Sequence, residues 1–170
     1  MEDNDFVLRA VNGDSRAFEW IVNKYQGIVR GMLVNLCHRN DVADDLAQHT
    51  FLSAWQKLAS FNQGSLKSWL CSIAYRHFLM WKRANRNEYS TTTLSAEFHH
   101  EDNSTFRDLH KGMQQLTQIQ REIVTLQSLI GLTQNEIAGI LGIPLGTVKS
   151  HSTRALATLR NCLAGEIHEK

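Results

Sequence analysis

The sequence predicts an all-α protein of two small helical domains joined by a polar, acidic linker. Apolar residues recur at intervals of three and four, whereas the alternation typical of strands is scarce. One proline and ten glycines among 170 residues leave few turn clusters. The polar segment in the middle of the chain favours two small cores over one larger core.

That polar segment, residues 88–108, has the composition of a linker. It contains five acidic residues against one arginine, is rich in Ser and Thr, and lacks a strong helical period. We therefore predict an N-terminal domain at 1–87, a linker at 88–108 and a C-terminal domain at 109–170.

Positive charge is concentrated on both sides of the linker, although the net charge is only +1. No acidic residue lies between Asp45 and Glu88, or from Ile137 to Gly165. The basic residues of these two stretches are Lys57, Lys67, Arg76, Lys82, Arg83, Arg86, Lys149, Arg154 and Arg160. Local basic clusters favour nucleic-acid contact, whereas the near-neutral total argues against binding by bulk charge alone.

Composition argues against a secreted, membrane-spanning or disulfide-rich protein. No apolar run reaches about 18 residues, and the chain starts with acidic residues where a secretion signal would be basic and then apolar. We therefore expect a cytoplasmic protein. Cys37, Cys71 and Cys162 are odd in number and far apart, which predicts buried, reduced thiols.

The segment from Gly131 to Leu156 predicts a helix-turn-helix. Thr133-Gln-Asn-Glu136 has the form of a capping box, and Gly142 can end the first helix in the left-handed conformation. Pro144 suits the first turn of the second helix. Upstream, a further helix begins at Thr117-Gln-Ile-Gln120 and buttresses the pair. Its apolar residues are Ile123, Val124, Leu126 and Leu129.

The second helix of this motif has two different sides. Val148, Ala155 and Leu159 form an apolar side. Small, polar and basic residues form the other side, namely Gly146, Lys149, Ser150, Thr153 and Arg154. Such a side suits contact with base edges and phosphates. The alternative interpretation is an ordinary solvated helix face.

The N-terminal domain contains two marked helical segments. In the first, Asn40 to Leu58, Asp41 and Asp44 are placed to cap the helix start. The second is predicted from about Ser68 to Arg86, and interleaves basic residues with aromatics. That mixture suits partly melted DNA, because bases stack while phosphates are neutralised. For most of the aromatics, core packing is the favoured interpretation.

Three blocks together resemble a known family. "DDLAQHTFLSAW", "SWLCSIAYRHFLMWKR" and "LTQNEIAGILGIPLGTVKSHSTRAL" have the order and spacing of the extracytoplasmic-function group of bacterial RNA polymerase sigma factors. The resemblance runs from about Ser15 to Leu163. It implies that the N-terminal domain binds the β′ clamp helices and melts the promoter −10 element, and that the helix-turn-helix reads the −35 element. The linker would thread through the polymerase.

The resemblance also implies which partners the protein binds and which ligands it does not need. Core RNA polymerase, through its β′ and β subunits, and promoter DNA are the expected partners. An anti-sigma factor, often membrane-bound in this family, would hold the protein inactive and could place it at the inner membrane face. No cofactor, metal or small-molecule substrate is implied, and no catalytic activity.

Site residues follow from the resemblance, position by position. Polymerase contacts are implied for Asp44, Asp45, Gln48 and His49. Contacts to the −10 element are implied for Phe61, Asn62, Gln63, Gly64, Ser65, Leu66, Arg76, Lys82, Arg83 and Arg86. Contacts to the −35 element are implied for Thr133, Gly146, Thr147, Lys149, Ser150, Thr153 and Arg154. The segment from Phe61 to Leu66 is similar to the loop that holds a flipped base in the family.

Four positions depart from the family's usual residues. His49 replaces an acid, Arg76 an asparagine, Met80 an aspartate and His151 an arginine. These departures imply an altered polymerase contact, an unusual −10 preference and weaker phosphate anchoring by His151 at neutral pH.

Two other function classes fit the sequence less well. A stand-alone helix-turn-helix regulator would carry a receiver or ligand-binding domain before the motif, where this chain has a small helical unit. An enzyme would need a catalytic motif, and the chain has no glycine-rich phosphate loop, His-Glu-x-x-His or Gly-x-Ser-x-Gly. Cys37-His38 and His99-His100 suggest a metal site, but adjacent helical residues point in different directions.

Overall fold

The computed structural model describes residues 3–62, 64–86 and 111–164, and all regular secondary structure in these ranges is helical, as predicted. The chain divides into two compact units, Met1–Ala96 and Glu97–Lys170. The predicted linker, 88–108, lies outside the described residues, so the proposed domain boundaries stay a prediction. Among the described helices, none is both long and apolar enough to cross a membrane.

The described residues of unit 1 form four helices. They are α1 (Asp3–Val11), α2 (Ser15–Cys37), α3 (Asn40–Lys57) and α4 (Leu66–Ala84), with a 3₁₀ turn at Leu58–Ser60. Helices α2, α3 and α4 pack on one another, and α1 packs on α2. Their shared core includes Ile21, Val29, Met32, Leu33, Ala54, Leu70 and Phe78. Burial of these apolar side chains, rather than helix propensity, holds the unit together.

Polar side chains cap two of these helices but not α3. Asp14 accepts from the backbone N–H groups of Arg16 and Ala17 at the start of α2. The predicted capping of α3 by Asp41 and Asp44 is wrong: the cap position is Arg39, whose side chain makes no capping bond. Both carboxylates pair with arginines, and Asp41, which lies inside the first turn rather than at the cap position, also accepts from the backbone N–H of Val42.

Helix α4 begins two residues earlier than predicted. Ser65 caps it by accepting from the N–H of Ser68 at 3.1 Å, and Gly64 turns the chain beforehand with φ 111°. Leu66 is therefore the first helical residue and only 1% exposed. The prediction that placed Leu66 in the loop is wrong, because its side chain belongs to the core.

Unit 2 contains the helix-turn-helix. Residues 111–115 are helical and are followed by α5 (Gln118–Val124), a π-helical turn at Thr125–Leu129, α6 (Gln134–Leu141) and α7 (Leu145–Ala164). The predicted capping box is present at Thr133 with Glu136, and the helix predicted to begin at Thr117 starts with a second one, Thr117 with Gln120. The core of the unit includes Leu116, Ile123, Leu126, Ile130, Leu132, Ile137, Val148, Ala155 and Leu159.

The π-helical turn changes one predicted packing position. It shifts the register after Val124, and Ile130 N–H donates to the carbonyl of Thr125 at 3.1 Å. Leu129, one of the apolar residues of the predicted upstream helix, is consequently 57% exposed. Thr125 and Leu126 stay buried.

Gly142 ends α6 in the left-handed conformation, with φ 67° and ψ 32°. A Cβ added there would meet no atom within 4 Å, so the cost of Gly142→Ala is conformational alone. We expect the free energy of unfolding of this variant, measured by urea denaturation, to be about 1–2 kcal/mol lower than that of the wild type. Gly139→Ala, which also has open space around its Cβ but lies inside α6, is the control and should not destabilise. Equal effects of the two substitutions would contradict this explanation.

Candidate functional site

Helix α7 presents the polar side that the sequence predicted. Val148 and Ala155 are fully buried and Leu159 is 8% exposed. Gly146, Lys149, Ser150, Thr153 and Arg154 are all exposed. The two hydroxyls donate to backbone carbonyls within the helix, Ser150 to Thr147 and Thr153 to Lys149, each at 3.0 Å. Their oxygens can still accept hydrogen bonds, and the basic groups can reach phosphates.

The residues around α7 fix its position in unit 2. Buried Ser152 donates to Gln127 Oε1 at 2.8 Å, which joins α7 to the π-helical turn. Thr133 is exposed, but its hydroxyl is engaged in the capping box with Glu136. Thr147 is half-buried. His151 is also half-buried, and its Nδ1 is buried without a partner among the described residues, so it does not share the open exposure of Lys149.

Helix α3 presents a second exposed surface. Asp44, Asp45, Gln48 and His49 are all exposed, and Asp44 pairs with Arg30 of α2 at 2.6 Å. Two large apolar residues missed by the sequence interpretation also lie exposed on α3, Leu52 at 56% and Trp55 at 40%. Helical spacing could have identified both residues. The buried positions of α3 leave residues 45, 48, 52 and 55 on the opposite side of the helix.

A histidine pair lies beside this surface. Ser53 Oγ is 2.9 Å from His77 Nε2, and the ring centroids of His49 and His77 are 6.1 Å apart. Burial lowers the pKa of His77 below the usual histidine value, and the nearby His49 and Lys57 lower it further. The folded protein therefore favours neutral His77, which sequence reasoning did not identify.

The lowered pKa of His77 predicts a pH-dependent stability. When the pH falls through the ordinary histidine value, the unfolded chain binds the proton more readily than the folded one. The free energy of unfolding should therefore decrease as the pH falls from about 7 to about 5. His77→Gln should reduce this dependence in urea denaturation, with His110→Gln as a control for loss of a histidine. An unchanged pH dependence in His77→Gln would contradict the assignment.

Only some residues of the predicted −10 loop, 61–66, are exposed and outside a helix. Phe61 is half-buried, with its ring centroid 5.5 Å from that of Trp69. Asn62 is exposed, and Ser65 is occupied as the cap of α4. Gln63 lies outside the described residues. The loop thus offers an aromatic wall and an exposed amide, which are groups that can contact an unstacked base.

Basic residues continue from the loop along α4. Arg76, Arg83 and Arg86 are exposed. Lys82 is half-buried, and its Nζ lies 5.5 Å from the centroid of the buried Phe78 ring. Trp69, Phe78 and Trp81 are buried or half-buried, which agrees with the core interpretation of the aromatics.

The described residues provide no cluster of three or more metal-ligating side chains. Cys37 is fully buried, and its Sγ donates to the carbonyl of Leu33 at 2.8 Å. Burial raises the pKa of the Cys37 thiol. Cys71 is buried as predicted, whereas Cys162 is half-exposed, 3.4 Å from Gln115 Oε1. His99 and His100 lie outside the described residues.

Comparison with known proteins assigns both units to one family. Residues 21–88 match Sigma-70 region 2 and residues 112–161 match Sigma-70, region 4. The chain is 30% identical to the RNA polymerase sigma-H factor of Pseudomonas aeruginosa, across 99% of this chain and 97% of the relative. It is 31% identical to the ECF RNA polymerase sigma factor EcfG of Rhodopseudomonas palustris, across 77% and 76%.

A solved structure agrees with these sequence matches. The chain is similar to the sigma factor RpoE of Bartonella quintana, whose co-crystal structure contains the anti-sigma factor NepR. The TM-score is 0.71 at 29% identity, covering 86% of this chain and 96% of that one. The two family matches and these relatives show that the chain belongs to the extracytoplasmic-function group of bacterial RNA polymerase sigma factors.

Proposed function

We propose that this sigma factor binds core RNA polymerase through α3 and promoter DNA through α4 and α7. The observation that carries the proposal is the presence of two unlike surfaces on separate units. On α3, acidic and apolar side chains lie exposed together, whereas α7 exposes small, polar and basic ones. The first suits a protein partner and the second suits a duplex.

The polymerase-binding surface we propose consists of Asp44, Asp45, Gln48, His49, Leu52 and Trp55. Residues 45, 48, 49 and 52 have the i, i+3, i+4, i+7 spacing of one helix face. Trp55 is held by Phe18 of α2 in an edge contact, with ring centroids 4.8 Å apart. An immobilised aromatic ring beside charged residues is typical of interface hot spots. The clamp helices of β′ are the partner proposed for this surface.

The −10 element is proposed to contact α4 and the loop before it. Asn62 and the half-buried Phe61 would contact an unstacked base, while Arg76, Arg83 and Arg86 neutralise phosphates. Leu66 is left out of this contact because it is buried. Melting of the element would be driven by such contacts to single-stranded DNA.

The −35 element is proposed to contact α7. Lys149, Ser150, Thr153 and Arg154 would enter the major groove, and the glycine at 146 would permit a close approach to the backbone. Each contact is modest, so affinity would come from tethering both units on one polymerase. The chain itself would supply no catalytic centre and would act in the cytoplasm, where polymerase and promoter lie.

An anti-sigma factor is the proposed regulator. Support comes from the Bartonella relative, which was crystallised with one. Such a partner would cover the α3 and α7 surfaces, and a membrane-bound partner would hold the sigma factor at the inner membrane face.

The isolated protein should bind duplex DNA weakly. Its net charge is +1, and only the short row on α7 would contact a duplex directly. A fluorescence titration of promoter DNA with the full chain at physiological salt tests this expectation. Nanomolar promoter binding without polymerase would contradict it.

Gel filtration of the full chain with bacterial core RNA polymerase tests the proposal as a whole. We expect the two to elute together. If they elute separately and the free chain binds a specific duplex tightly, the stand-alone helix-turn-helix regulator becomes the better account.

A further inference from the structure

One interhelical ion pair links the proposed polymerase-binding surface to α2. Arg30 Nε donates to Asp44 Oδ1 at 2.6 Å, and Arg30 Nη2 lies 3.5 Å from Asp44 Oδ2. Each side chain is 49% exposed. Arg39 and Asp41, by contrast, pair within one turn of chain at the start of α3. The Arg30–Asp44 pair therefore depends on the packing of α2 against α3, whereas the Arg39–Asp41 pair depends only on neighbouring residues of the chain.

The two carboxylate oxygens of Asp44 are bonded unequally. At 2.6 Å, Oδ1 accepts a short charge-assisted bond, whereas 3.5 Å is the outer limit of hydrogen bonding for Oδ2. A carboxylate has about four acceptor positions, so Oδ2 retains capacity for a cationic donor. Holding the carboxylate in one rotamer before binding lowers the entropy lost when a partner docks.

We propose that Arg30 is a positioning residue for polymerase binding: it orients the Asp44 carboxylate and leaves Oδ2 available to a lysine or arginine of the polymerase. This inference rests on the proposed function of Asp44. An exposed ion pair contributes little to the stability of the fold. The proposed role of the pair is therefore to orient the Asp44 carboxylate. Arg30 acts through Asp44 and does not itself contact the polymerase.

A double-mutant cycle on the full chain tests the inference. Binding to core polymerase is titrated by fluorescence anisotropy for Arg30→Ala, Asp44→Asn and the double variant, with thermal melting to check folding. Arg30→Ala should weaken binding about threefold to fivefold. The double variant should bind no more weakly than Asp44→Asn alone, because Arg30 then has no carboxylate to orient.

Two further variants complete the test. Arg30→Lys keeps the charge but loses the planar fork, so its affinity should lie between wild type and Arg30→Ala. Its loss should also vanish in the Asp44→Asn background, which keeps the test informative if Arg30→Ala unfolds. Arg16→Ala, another exposed arginine on α2, is the charge-matched control and should bind like wild type.

Four results would overturn the inference. Persistence of the Arg30→Ala loss in the Asp44→Asn background would mean that Arg30 contacts the polymerase directly. Tighter binding by Arg30→Ala would mean that Arg30 competes with the polymerase. If Asp44→Asn weakens binding but Arg30→Ala does not, Asp44 contacts the polymerase without being positioned by Arg30. If Asp44→Asn also has no effect, the proposed contact of Asp44 fails as well.

Discussion

Reversing two charges on α3 should abolish co-elution with core polymerase. In Asp44→Lys/Asp45→Lys, two exposed carboxylates of the proposed surface become ammonium groups. Any basic partner group would then face like charge, and Asp44 would lose its pair with Arg30. We expect affinity to fall by about a hundredfold or more. Gel filtration with core polymerase measures the loss.

The control for this prediction is an equal charge change elsewhere on unit 1. Asp5→Lys/Glu19→Lys alters two exposed acids on α1 and α2 and should leave co-elution intact. Circular dichroism should show that both double variants are helical. Loss of binding in both would indicate a general charge effect and contradict the assignment of α3.

Removing two polar side chains from α7 should disable −35-dependent transcription without affecting polymerase binding. Lys149 and Thr153 are exposed and one helical turn apart, and Thr153 bonds to the Lys149 carbonyl. Lys149→Ala/Thr153→Ala removes a phosphate or base donor together with a hydroxyl. Since base contacts are worth about 1–3 kcal/mol each, transcription should fall about tenfold to a hundredfold. Run-off transcription with saturating sigma factor measures this effect.

Arg160→Ala/Asn161→Ala provides the matched control. Both residues are exposed on the same helix, beyond the part of α7 proposed to enter the groove. This variant should retain transcription, and both variants should co-elute with polymerase. Loss of polymerase binding by Lys149→Ala/Thr153→Ala would show that the two surfaces have been misplaced.

The helix-turn-helix was predictable because local chemistry determines it. The capping boxes at Thr117 and Thr133 need only residues three apart, and Gly142 needs only its own lack of Cβ. The same holds for the burial of Val148, since helical periodicity assigns it to the apolar side.

Features that depend on packing between elements were not predictable. Asp44 bonds to Arg30 because α2 and α3 lie side by side, and His77 meets Ser53 across α3 and α4 for the same reason. A π-helical turn exposes Leu129, and the apolar spacing of an ordinary α-helix does not predict where such a turn occurs. The residue-level roles in binding come from resemblance and surface exposure, and stay predictions.

As a sigma factor, this chain directs core polymerase to specific promoters. The most direct test of this role is transcription of fragmented genomic DNA from the source bacterium by core polymerase with the purified full chain, followed by mapping of RNA 5′ ends. We expect new start sites that share −10 and −35 motifs and disappear with Asp44→Lys/Asp45→Lys. The same start sites with and without the wild-type chain would contradict this role.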